Sequence, residues 1–179
     1  MNNITGMNIL ILQGSPRANG NTAWMAEEYR KAAEAAGHKV ALVDMSHKKI
    51  AGCMACGYCR GKGNGACIQK DDMQELYPLL AEAEVLVLAS PIYYFTMSAQ
   101  LQAPIQRIYC MNKPGKLKKM ALLASSYSPN VYDGAIGEYR GILNYWGVED
   151  TGVVTAKNDA QKMDATCTSI LKLVEKLSA

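Results

Sequence analysis

The chain has 179 residues, of which 49% are apolar and 20% charged, and its formal net charge is +3. This length suits one α/β domain over residues 1–179 that folds without a structural metal or disulfide, and so small a charge gives no reason to expect nucleic-acid binding. No apolar run reaches the length of a membrane span, and residues 1–6 lack the segments of a signal peptide. We therefore expect a cytoplasmic protein with reduced cysteines.

Short apolar runs alternate with longer helical stretches along the chain. Strands are predicted over residues 7–13, 39–44, 84–90, 119–125 and 148–156, and helices over residues 22–36, 72–83, 98–110, 133–146 and 159–177. Strands that alternate with helices predict an α/β fold, in which helices cover both faces of a parallel sheet. Ligands of such sheets bind beyond the carboxyl ends of the strands, so the loops at those ends are the candidate sites.

The loop after the first predicted strand reads G-S-P-R-A-N-G-N-T, residues 14–22, and a helix follows it. Its polar side chains are Ser15, Arg17, Asn19, Asn21 and Thr22. Together with the free N–H groups of a helix N-terminus, they suit a phosphate. Neither G-K-[ST] nor G-x-G-x-x-G is present, which leaves a phosphate monoester as the expected ligand. The alternative is an ordinary turn in which Asn21 and Thr22 cap the helix.

Apolar and aromatic residues follow the third predicted strand. They are Pro91, Ile92, Tyr93, Tyr94 and Phe95. Such a segment supplies a wall for a flat, apolar, redox-active ring. The alternative is that the aromatics fill the core at the sheet edge, and we expect one of the three to do so. The next strand-end loop carries Ser126 and Tyr127, which are candidates for contact with the same ring.

Four of the six cysteines, Cys53, Cys56, Cys59 and Cys67, lie close together in a glycine-rich loop. Their compact C-x₂-C-x₂-C spacing with one more cysteine nearby favours a [4Fe–4S] cluster. Zinc matches less well, because structural zinc sites usually join two C-x₂-C units by a longer spacer. A loop of free thiols without metal is the third hypothesis. The other two cysteines, at positions 110 and 167, lie on predicted helices and are interpreted as small core hydrophobes.

Residues 14–22, residues 90–107 and the cysteine loop, residues 53–67, resemble the NAD(P)H-dependent FMN reductase family, and more closely its iron–sulfur flavoprotein branch. The resemblance implies a flavodoxin-like three-layer sandwich with a five-stranded parallel sheet in the order 2-1-3-4-5. It also implies that Ser15, Arg17, Asn21 and Thr22 hold the FMN phosphate and that residues 91–95 line the isoalloxazine. The family commonly has Lys-Ala-Phe at residues 102–104, where this chain has Gln-Ala-Pro, and Pro104 is expected near the first turn of its helix, where it shifts or kinks the start.

This resemblance leads to three functional hypotheses. The leading one is an oxidoreductase in which NAD(P)H, as a transient co-substrate, reduces bound FMN and a small molecule or a protein accepts the electrons. Hydride transfer of this kind needs proximity and orientation, so no side chain is assigned as a catalytic acid or base. The alternatives are an iron–sulfur electron carrier fed by ferredoxin and a flavin-binding redox sensor without turnover.

Two expectations concern placement and assembly. A cluster in the cysteine loop is expected on the flavin side of the molecule, in the same subunit or facing a flavin across an interface. A homodimer or homotetramer is expected, because family members usually close the flavin site with a neighbouring subunit. Hydrolase chemistry is disfavoured, since the two histidines, His38 and His47, are both expected at the surface.

Overall fold

Five parallel strands form the central sheet of the computed structural model, which describes residues 6–158 and 164–178. The strands are β1 (Asn8–Gln13), β2 (Lys39–Asp44), β3 (Val85–Tyr93), β5 (Lys119–Ser126) and β6 (Glu149–Lys157), in the order β2-β1-β3-β5-β6. A short strand, β4 (Thr96–Met97), pairs antiparallel with the end of β3 and lies off this path. Counted over the five parallel strands, the predicted order 2-1-3-4-5 is confirmed.

The helices divide into two layers, one on each face of the sheet. They are α1 (Asn21–Ala35), α2 (Met73–Glu82), α3 (Ala99–Arg107), α4 (Asp133–Trp146) and α5 (Asp164–Glu175). The predicted helix over 98–110 is divided into α3 and a 3₁₀ turn, Ile108–Met111. Residue 104, the proline, lies in the second half of α3 rather than in its first turn, and α3 begins normally at Ala99. The first residues of the predicted closing helix, 159–163, lie outside the described residues.

The alternation of side chains along the strands builds two cores. Leu10 and Leu12 of β1 face α2, α3 and α4, whereas Ile9 and Ile11 face α1 and α5. A strand buried on both faces needs apolar residues at every position, which is why β1, β3 and β5 have unbroken apolar runs. The result is the predicted three-layer arrangement. None of the helices among the residues that the structure describes is long and apolar enough to cross a bilayer.

His38 differs from the prediction, because it is 5% exposed and not a surface residue. Its Nδ1 accepts a hydrogen bond from the backbone N–H of Met7 at 3.1 Å, which ties the start of β1 to the turn after α1. Burial lowers the pKa of His38 below its ordinary value. His47 is exposed, as predicted.

Candidate cofactor sites

Three strand-end loops meet at the carboxyl edge of the sheet, because β1, β3 and β5 are neighbours. The Ser98 hydroxyl, just after the hairpin that ends β3, donates to the carbonyl of Gly14 at 2.7 Å and joins the second loop to the first. The hydroxyls of Thr22 and Ser125 lie 2.6 Å apart and join the first loop to the third. The fold therefore brings all three predicted flavin-binding loops to one place.

The first loop bends over the N-terminus of α1. Ser15 is buried, and its Oγ accepts the backbone N–H of Arg17 at 3.1 Å, while the N–H of Gly20 donates to the Arg17 carbonyl at 3.0 Å. Gly20 is the residue before α1, and no side chain caps the helix. The interpretation of Asn21 and Thr22 as ordinary helix caps is therefore wrong. An uncapped helix start leaves N–H donors and a positive dipole end for an anion, which fits a phosphate.

The remaining polar residues of this loop surround that helix start. Arg17 and Asn19 are exposed, so both side chains can turn toward a bound phosphate. The Asn21 amide donates to the carbonyl of Asn158 at 3.4 Å, which links the loop to the end of β6. Among the candidates in this loop, Ser15 and Thr22 are buried and fixed by hydrogen bonds, and Arg17 supplies the positive charge.

The second loop is a tight β-hairpin, and the strand that leads into it is longer than predicted. β3 continues through Pro91 and Ile92, which are both buried. Tyr93, Tyr94 and Phe95 are 46%, 97% and 53% exposed, so the expectation that one of them fills the core is wrong. Tyr94 and Phe95 have φ values of 52° and 71°, the left-handed conformation that a two-residue hairpin turn demands. The turn projects its aromatic rings away from the core.

The third loop is fixed by a chain of hydroxyl groups. The Ser126 hydroxyl donates to the Tyr132 hydroxyl at 2.7 Å, and Tyr132 donates to the carbonyl of Ala156 at 2.8 Å. Tyr127 is 87% exposed beside this network. The loop thus has a rigid base and one exposed aromatic ring at the edge where the other two loops end.

The predicted cysteine loop borders a separate cavity of about 650 Å³, which we call the cysteine cavity. Five cysteines line it: Cys53, Cys56, Cys59, Cys67 and Cys110. Apolar and aromatic residues of α3, the 3₁₀ turn after it and α4 complete the wall, and they include Ile105, Tyr109, Ile142, Tyr145 and Trp146. The first four cysteines are exposed or half-buried, whereas Cys110 is buried. Within the described parts of the chain, no three Cys, His, Asp or Glu side chains are arranged to hold a metal ion.

The cysteine cavity lies away from the three strand-end loops of the same chain. It is lined by the C-terminal halves of α3 and α4, and both helices run from the carboxyl edge of the sheet back toward its amino edge. Within one subunit the cavity therefore lies apart from the carboxyl edge of the sheet, and the expected position of a cluster, on the flavin side in the same subunit or across an interface, stays a prediction. The loop begins after β2 at that edge, but it folds down over the helical layer.

Arg107, at the end of α3, fastens the cysteine loop to the helical layer. Its Nη1 donates to the carbonyl of Ala51 at 3.0 Å and its Nη2 to that of Gln69 at 3.4 Å, one on each side of the cysteines. Both nitrogens also bond Asp71, at 2.6 Å and 3.2 Å. Burial by itself would raise the pKa of Asp71, but hydrogen bonds from Arg107 and from backbone N–H groups hold that pKa below its usual range.

Arg107 also affects the pKa of the Cys67 thiol. Burial alone would raise the pKa of Cys67, but the N–H of Gln69 and the positive charge of Arg107 outweigh it and hold that pKa below its ordinary value. A thiol with a lowered pKa provides the thiolate that binds iron or zinc. Four cysteine side chains border this one cavity, and sulfur is the donor by which proteins hold iron–sulfur clusters, so the donor set fits such a cluster.

The comparison with known proteins is decisive for the family. A family model for NADPH-dependent FMN reductases matches residues 7–156. The chain belongs to this family. The predicted resemblance is confirmed, and the matched region contains all three strand-end loops and the cysteine loop.

Within the FMN reductase family, this chain is similar to iron–sulfur flavoproteins. One from Archaeoglobus fulgidus is 35% identical over 144 residues, covering 78% of this chain and 63% of that protein. Another, from Methanosarcina thermophila, is 33% identical over 101 residues, covering 56% of this chain and 52% of that protein. The chain therefore spans between about half and just under two thirds of the length of these relatives.

A solved structure shares the fold over the whole length. The NAD(P)H:quinone oxidoreductase from Methanothermobacter marburgensis has a TM-score of 0.75 and covers 98% of both chains at 15% identity. At such low identity the likeness shows the fold alone. The predicted flavodoxin-like architecture is confirmed.

The sequence did not indicate that Arg107 and Cys110 line the cysteine cavity, or that Asp71 pairs with Arg107. Arg107 ends an otherwise ordinary helical segment, and Asp71 matched the acidic start of α2. Cys110 was expected to be a core residue, and its burial agrees with that, but it also lines the cavity. A strongly basic residue at the buried face of a predicted helix was the one available indication of a buried ion pair.

Proposed function

We propose that the chain is an FMN-dependent NAD(P)H oxidoreductase that passes electrons to a small molecule or a protein. The single observation that supports this most strongly is the convergence of the three loops on the uncapped start of α1. Family membership supports the same cofactor. When bound, FMN supplies a ring that accepts hydride and passes electrons on.

In this proposal each loop has its own task at the carboxyl edge. Ser15, Arg17, Asn19, Asn21 and Thr22 hold the phosphate, Pro91 to Phe95 line the ring, and Ser126 and Tyr127 contact it from the third loop. The exposed rings of the hairpin orient the cofactor and shield it from water, while the hydrogen-bonded base keeps the loops from moving apart. No side chain is required to take or give a proton, because hydride transfer depends on alignment.

Steady-state kinetics separate this function from its two alternatives. Protein loaded with FMN should consume NADH or NADPH continuously in air, because each reduced flavin is reoxidised. A flavin-binding sensor should react once and stop. A ferredoxin-fed carrier should be reduced rapidly by ferredoxin and not by NAD(P)H. Consumption that ends after one equivalent contradicts the proposal.

We propose in addition that Cys53, Cys56, Cys59 and Cys67 hold a [4Fe–4S] cluster. All four border one cavity, the loop that carries them is held at both ends by Arg107, and the Cys67 thiol has a lowered pKa. Relatives named iron–sulfur flavoproteins support the same assignment. Iron and sulfide analysis after anaerobic purification should find about four of each per chain, as four thiolates bind a cubane. Zinc, or no metal, contradicts it.

Self-association is part of the proposed function. Tyr93, Tyr94 and Phe95 are exposed at the proposed flavin edge, an arrangement that favours burial by a second subunit. We expect a homodimer or homotetramer with the hairpin and the start of α3 at or near the interface. Sedimentation at micromolar concentration tests this, and a stable monomer contradicts it.

A further inference from the structure

Among the described residues, Arg107 is one of the largest side chains that are completely buried, with 1% exposure. Of the described residues that line the cysteine cavity, it alone carries a fixed charge. A buried guanidinium loses its hydration, so its position in the interior requires specific partners. The residue therefore has a larger role than filling space at the end of α3.

Two of its three nitrogens have partners, and the third does not. Nη1 and Nη2 bond Asp71 and the carbonyls of Ala51 and Gln69. Nε is buried and has no hydrogen-bond partner. Buried polar groups without a partner are uncommon in folded proteins. The Nε–H group is a free donor on a residue that borders the cavity.

The charge of Arg107 affects the reduction potential of a cluster that the cysteines bind. A cluster bound by four thiolates is anionic, and its reduction adds one further negative charge. Net charge and hydrogen bonds to sulfur are among the factors that set the reduction potential of such clusters. A positive charge next to the cavity favours the reduced form, and Asp71, which pairs with Arg107, partly opposes it.

We propose that Arg107 is a positioning residue for the cluster: it holds both ends of the cysteine loop, and its charge raises the reduction potential of the cluster. This inference rests on the proposed [4Fe–4S] site. It predicts opposite effects for the two partners of the ion pair. Removal of Arg107 should lower the potential, and removal of the Asp71 charge should raise it.

The experiment measures the midpoint potential of the cluster by redox titration with electron paramagnetic resonance, in the full chain. R107M should shift the equilibrium toward the oxidised form by about tenfold, or about 59 mV for one electron. D71N should shift it the other way. R107K keeps the charge but not the planar guanidinium group, so its midpoint potential should stay close to that of the wild type. R30M, on the surface of α1, is the matched control and should change nothing.

The outcomes separate this inference from the proposed [4Fe–4S] site on which it rests. Opposite shifts in R107M and D71N, with recovery in R107K, support it, because loosening of the loop alone would not give two signs. Iron in the wild type with equal potentials in all variants overturns it and leaves the cluster proposal intact. A wild type without iron overturns both. D71N keeps the arginine, so it still reports the charge effect if R107M loses its iron.

Discussion

The carboxyl edge of the sheet, where the proposed flavin loops meet, and the cysteine loop are built in different ways. At the carboxyl edge, buried residues of the strand-end loops and of the helix starts that follow them hydrogen-bond one another, as Ser98 does with Gly14 and Thr22 with Ser125. The cysteine loop is mostly exposed, and its regular structure is one 3₁₀ turn, Tyr58–Arg60. Its position is set by Arg107 of α3, which pairs with Asp71 and donates hydrogen bonds to the loop on both sides of the cysteines. A site at strand ends follows from the fold, whereas a site on a long loop needs its own anchor.

This difference predicts that loss of the cofactor at one site leaves the cofactor at the other site bound. The largest effect is expected in the cysteine loop. Changing Cys56→Ala removes one of four ligands and should abolish iron binding, while FMN remains bound because its contacts come from other loops. Iron and flavin analysis after anaerobic purification measures both. Cys167→Ala, on α5, is the control and should retain both cofactors. Loss of FMN together with iron would show that the sites are coupled.

At the flavin edge, Arg17→Ala should weaken FMN binding without affecting iron. The side chain is exposed beside the uncapped start of α1, so its removal costs a charge-assisted hydrogen bond and little packing. Such a bond contributes about 1.5–3 kcal/mol, or roughly 10- to 150-fold in Kd. Fluorescence titration with FMN measures the change. Unchanged affinity would remove Arg17 from the phosphate site, and Arg30→Ala, which faces away on α1, should leave the affinity as it is.

A third prediction concerns the packing of the aromatic hairpin on α4. A methyl group at Gly134 would overlap the carbonyl oxygen of Phe95, so Gly134→Ala should destabilise the protein by about 1–3 kcal/mol. Gly137, one turn later on the same helix, has open space around it, and Gly137→Ala should stabilise by about 0.5–1 kcal/mol. Urea unfolding of both variants measures the pair. Equal effects would mean that the hairpin does not rest on Gly134.

The smallest effect is expected away from both sites, at His38. Burial lowers its pKa, so the folded state keeps it neutral while the unfolded chain protonates near pH 6.5. Stability from this group is complete above about pH 6.5 and is lost as the pH falls through the lower folded pKa, by at most about 1.4 kcal/mol per pH unit. The His38→Gln variant should lose less stability than the wild type as the pH falls. Urea midpoints at neutral and acidic pH measure it, and identical pH dependence in both proteins contradicts it.

The two regions also differ in how far the sequence predicts them. The conformation of the first loop, residues 14–22, was predictable because an apolar strand, glycines and a helix start occur together within residues 7–22, and each has a local cause. The path of the cysteine loop was not predictable, because it depends on contacts of Arg107 with Ala51 and Gln69, which lie 56 and 38 positions away in the sequence. The exposure of Tyr93 to Phe95 was missed for a similar reason. Strand pairing of Pro91 with Ser125 extends β3, and nothing local indicates that.

The reduction of bound FMN by a nicotinamide cofactor is the central claim, and an anaerobic titration tests it most directly. Purified protein should show visible flavin absorbance, and NADH or NADPH should remove it with about one equivalent per FMN, because one hydride reduces one flavin; a cluster that is reduced as well takes about half an equivalent more. A colourless protein that takes up no FMN would contradict the claim. So would a yellow protein whose absorbance neither cofactor changes.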